Sequence, residues 1–60
     1  MKTYTDAAYE LMQKYTEDEL RDQLQDLEDS LQVHKLYGYP TAYLDFRIEI
    51  TTMALQEIAA

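Results

Sequence analysis

Leu44-Asp45-Phe46-Arg47-Ile48-Glu49-Ile50-Thr51 alternates apolar and polar side chains with the period of a half-buried strand, yet the same residues also fall within a helical repeat. The two readings lead to different folds. As a strand, the segment would pair with residues 32–37 across the turn Tyr37-Gly38-Tyr39-Pro40 and would cut short the helical register that precedes that turn. As a helix, Leu44, Ile48, Thr51, Leu55 and Ile58 make one stripe that continues past the alternating segment into Met53-Ala54-Leu55-Gln56-Glu57, a run of good helix formers. The helix accounts for more of the sequence, and a lone strand would lack a convincing partner.

Upstream of the turn, Leu20, Leu24, Leu27 and Leu31 recur at steps of four, three and four, which keeps them on one side of an α-helix. Thr16 with Glu19 three positions on forms a capping box, and Glu17, Asp18 and Glu19 put negative charge at the positive end of the helix dipole. Gly38, able to take the left-handed conformation, stops that helix, with Pro40 just beyond. Tyr4, Ala8, Leu11 and Tyr15 form a shorter stripe, started by Thr3 with Asp6 three residues later. The pattern therefore predicts one all-α domain over residues 1–60, with helices at about 4–14, 16–37 and 41–59. The short first helix is followed by an antiparallel helical hairpin whose arms, roughly 30 Å each, match in length.

A chain of 60 residues buries only about 60 % of the surface its unfolded form exposes, and one core of this size supplies roughly 3–5 kcal/mol. With no Cys, disulfides and thiolate metal sites are excluded, and a lone His34 cannot build a histidine cluster. Self-association is the remaining reinforcement. The third helix invites it, because Tyr43, Phe46, Ile50 and Met53 lie to one side of its main stripe and widen the apolar arc beyond what one partner helix covers. Helix 1 can fold over part of this surface. A second copy is expected on the rest, with Phe46, Ile50 and Met53 as the self-association residues of a homodimeric helical bundle.

Twelve acidic residues against five basic ones give a formal charge of −7, which repels nucleic-acid phosphates and anionic headgroups alike. Direct nucleic-acid binding is not expected. No apolar run approaches the ~20 residues that span a bilayer, and the opening Met1-Lys2-Thr3-Tyr4 lacks the apolar block of a signal peptide, so a cytoplasmic protein is expected. Neither long helix presents the Arg and Lys residues of a DNA recognition helix. Nothing resembles a phosphate-binding loop, a dinucleotide turn or a zinc finger, and no nucleophile or orienting carboxylate is placed near His34. No enzymatic activity, cofactor or metal is expected.

Partner-binding candidates come from two features. Asp18, Asp22, Asp26 and Asp29 gather on the side of helix 2 away from the leucines, as a strip that either solvates the helix or meets a basic patch of another protein, in the manner of DNA phosphates. Tyr37, Tyr39 and Tyr43, half of the six tyrosines, crowd the turn, where they either cap the bundle or make an interface. Between the two features, Val33 and Leu36 depart from the leucine face. They either extend the strip as an apolar patch or pack under helix 1.

In length, acidity and lack of motifs the chain resembles the small accessory proteins that bacteriophages and other mobile elements make against host machinery. The resemblance implies a stoichiometric regulator or inhibitor whose partner is a host protein, such as a DNA-binding defence nuclease or a transcription component. The competing expectation is a structural hairpin that serves as a scaffold or oligomerisation piece of a larger assembly.

Overall fold

The computed structural model describes residues 3–60; Met1 and Lys2 lie outside the described residues. Three helices follow in order, α1 (Tyr4–Lys14), α2 (Glu17–Tyr37) and α3 (Ala42–Ala59), and no strand occurs among the described residues. The ambiguous 44–51 segment is helical. Period two loses there because Leu44, Thr51 and Ala54 are all buried, a helical spacing that no single face of a strand provides.

Both capping boxes form. Thr3 Oγ1 accepts from Asp6 N–H at 3.1 Å while Asp6 Oδ2 accepts from Thr3 N–H at 3.3 Å. Thr16 and Glu19 make the same reciprocal pair at 3.2 and 2.9 Å. Only Tyr15 and Thr16 separate α1 from α2, and both have extended backbone, so the cap itself sets the bend between the helices. At the other end of α2, Gly38 has φ 75° and ψ 23°. Tyr39 N–H donates to His34 O at 2.8 Å and Gly38 N–H to Lys35 O at 3.4 Å, the paired bonds of a Schellman closure.

α3 is the central element. α2 packs along one side of it and α1 along another, whereas α1 and α2 barely meet. The result is a flat molecule, 35 × 28 × 17 Å, with a Cα radius of gyration of 12.0 Å. A globule of this length would have a radius of about 10 Å. Leu20 of α2, Ala8 and Leu11 of α1, and Ile50 and Ala54 of α3 form one buried cluster, with Leu20 at 0 % exposure. Thr51 is also 0 % exposed, and among the described residues its Oγ1 has no hydrogen-bond partner.

Within the single chain, α1 takes up part of the wide apolar arc of α3. Ile50 is 4 % exposed within the single chain and belongs to the cluster that α1 completes; Phe46 and Met53 pack against that cluster and are half-buried. Tyr4 closes the edge, its ring meeting Phe46 in a T-shaped contact at 5.1 Å. Of the face expected to await a second copy, α1 covers Ile50 and part of Phe46 and Met53, with Ala8 and Leu11 in the shared buried cluster.

Candidate interaction surface

The side of α2 turned away from α3 carries Asp18, Asp22, Asp26 and Asp29, all on the same side of the helix as Val33 and Leu36. Their surroundings are polar: Gln25 Nε2 donates to Asp29 Oδ1 at 3.1 Å, and Arg21 pairs with Glu17 at 3.5 Å in the first turns. That pair is solvent-facing and contributes little to stability. The strip is continuous with Val33, 49 % exposed, and Leu36, 78 % exposed. Asp29, Gln32, Val33 and Leu36 line one shallow groove. Of the two positions open to Val33 and Leu36, the structure takes the exposed one, since α1 lies on α3 instead.

The three tyrosines of the turn divide into two groups. Tyr37 and Tyr39 stack at 5.9 Å with their planes 28° apart, and Tyr39 also meets the His34 ring edge-on at 5.7 Å. His34 Nδ1 donates to the Pro40 carbonyl at 3.0 Å. His34 and Tyr39 are thus the side-chain contact that accompanies a Schellman closure, while the Tyr37 and Tyr39 rings remain largely exposed. Tyr43, also exposed, belongs elsewhere: it lines the groove between α1 and α3 with Phe46 and Ile50, and its hydroxyl accepts from Arg47 Nη1 at 3.0 Å.

Arg47 is the linking residue that sequence reasoning missed. From α3 it reaches Gln23 of α2, with Nη2 to Oε1 at 3.4 Å, and lines the groove that α1 shares through Ala7, Leu11 and Lys14. Its Nε is buried without a hydrogen-bond partner among the described residues. No signal in the sequence announced this contact, because Gln23 is neither charged nor part of a motif. Val33 and Leu36 did carry a signal: Asp22, Asp26, Asp29, Val33 and Leu36 follow the same four-three rhythm as the leucine stripe, on the opposite side of the helix.

Among the described residues no group of three or more His, Cys, Asp or Glu side chains is placed to hold a metal ion. No helix among them is long and apolar enough to cross a membrane. Fold and surface together define an all-α domain of three helices with one acidic, partly apolar outer face. No protein family model, curated protein or solved structure matches the chain.

Proposed function

We propose that this chain is a non-enzymatic interaction module, a small acidic regulator that works by occupying the surface of another protein. The observation that supports the reading is the placement, on one outer side of α2, of Asp18, Asp22, Asp26 and Asp29 together with the stacked Tyr37 and Tyr39 at its end. The partner it suits is a host protein with a basic patch, including DNA-binding or defence proteins, in keeping with the character of phage accessory proteins. Literal imitation of a duplex is the weaker version of this reading. Four charges between Asp18 and Asp29 fall over roughly 16 Å of helix, whereas duplex DNA presents one charge per roughly 1.7 Å.

The test is capture of partners by the tagged chain from a lysate of its host at low and moderate salt, beside a variant with Asp22, Asp26 and Asp29 all changed to Asn. A stoichiometric protein retained by the wild type at low salt, and lost both at moderate salt and by the variant, is the expected result. Equal recovery by the triple variant would sink the role of the acidic strip. A homodimeric assembly piece is the second reading, favoured by the half-buried Phe46 and Met53, which still present apolar surface beside α1. A monomer in sedimentation equilibrium at micromolar concentration would dispose of it.

A further inference from the structure

Asp22, Asp26, Asp29, Val33 and Leu36 lie on one straight stripe of α2, within less than a quarter of its circumference and opposite the leucines that face α3. All five are exposed, and the stripe runs for roughly 21 Å, about four helical turns. Its composition is ordered: the half nearer the α2 N-terminus is acidic, and the half nearer Gly38 is apolar and grooved, between Val33, Leu36, Gln32 and Asp29. A Leu at 78 % exposure beside a half-exposed Val, in the four-three register that helices use to interlock, is a contact surface without its other half.

We infer that this stripe is a docking surface for an amphipathic helix of another protein, running antiparallel to α2, with an apolar N-terminal half and a basic C-terminal half. The inference rests on the interaction-module reading above and specifies its surface and the chemistry of its partner. Each property of the occupant follows from the stripe. The four-three spacing and four-turn length match a helix lying alongside rather than a loop or a flat surface. Antiparallel orientation lays the partner's N-terminal half over Val33 and Leu36 and its C-terminal half over Asp22, Asp26 and Asp29. Lys and Arg are best placed near a helix C-terminus, where the dipole is negative, so the charge match and the dipole favour the same orientation.

A second copy of the chain fits this surface poorly. Parallel pairing of two α2 stripes would set Asp against Asp, and antiparallel pairing would set the apolar half of each on the acidic half of the other. Two chains of formal charge −7 also repel each other as they approach. An interface of four turns on one helix buries less than a standard stable complex, so binding is salt-sensitive and readily reversible.

The probe is a synthetic helical peptide of three heptads, with Leu at the inward positions of its first heptad and Lys at those of the next two, alongside a peptide with the same heptads in reverse order. Binding is followed on the ¹⁵N-labelled full chain by amide chemical shifts and by anisotropy of a labelled peptide. Expected shifts centre on residues 22–36 and spare α1. The reversed peptide binds at least tenfold more weakly, and Leu36→Glu and the Asp22, Asp26, Asp29 triple Asn variant each lose about tenfold or more, consistent with the sum of several surface contacts. Circular dichroism of each variant checks that these exposed substitutions leave the helices intact.

Shifts centred on α1 and α3, or equal affinity for the forward and reversed peptides, would overturn the proposal. So would self-association of the chain alone that Leu36→Glu abolishes, since the stripe would then be covered by a second copy. If a captured host protein binds wild type and Leu36→Glu equally well, the interaction-module reading stands and this surface assignment falls. If the peptide binds as expected but the lysate yields no partner, the surface assignment stands and the regulatory role loses its support.

Discussion

Replacing Thr51 by Val should make this protein more stable. Thr51 lies in the middle of α3 at 0 % exposure, and its hydroxyl is shielded from solvent with no partner among the described residues. Burying an unpartnered hydroxyl costs about 1–3 kcal/mol. Val keeps the branched shape and nearly the same helix propensity, and it puts a methyl where the hydroxyl stood. Against the upper end of that range stands the slightly larger methyl in a packed site, so a net gain of about 1–2 kcal/mol is expected. For a domain of this length that corresponds to a rise in Tm of about 5–15 °C. The assay is thermal and urea unfolding followed by circular dichroism at two protein concentrations, with the urea midpoint rising at constant slope. Thr51→Ser is the control: it keeps the hydroxyl, loses the methyl, and should cost about 1 kcal/mol. If the Thr51→Val variant is equal to or less stable than the wild type, the hydroxyl must have a partner in solution, most simply the Arg47 carbonyl one turn earlier, and the orphaned state described for it is wrong.

Substitutions at three further positions probe the fold. Leu20→Ala removes the fully buried side chain that joins the cores of all three helices, and at about 2–5 kcal/mol it should leave little or no folded protein at 25 °C, read as loss of the cooperative melt. Gly38→Ala meets no neighbouring atom within 4 Å, so its cost should be only the conformational one of a φ of 75°, about 1 kcal/mol in urea unfolding; a loss several times larger would mean the turn is more crowded than described. Thr16→Ala removes the acceptor for Glu19 N–H and should cost about 1 kcal/mol, whereas Thr16→Asp should restore most of it.

The features legible in the sequence are those set by neighbours three or four residues apart. Thr3 with Asp6 and Thr16 with Glu19 announce helix starts because the cap is made by side chains on the same turn, and Gly38 announces the stop because few other residues take its φ. What covers the wide apolar arc of α3 is a different kind of question. Ile50 could satisfy its burial against α1 or against another chain, and composition weighs both alike; only the approach of Ala8 and Leu11 decides it. The same holds for Val33 and Leu36, whose exposure depends on where α1 lies. The Arg47–Gln23 link and the orphaned Thr51 hydroxyl are details of packing between helices, invisible to any periodicity. At the surface, the acidic residues of α2 were legible as a strip, while Tyr43 parted from Tyr37 and Tyr39 once the direction of its ring in α3 was known.

The helix in the middle of this molecule is the last of the three in the chain. α1 and α2 scarcely touch each other, and both bury their apolar stripes on α3. During synthesis, therefore, the first two helices have nothing to fold against until residues 42–59 have left the ribosome. The nascent chain spends that interval with its leucine stripe uncovered, and the acidic charge of α1 and α2 then opposes aggregation. Folding waits for the end of this segment and then engages all three helices together.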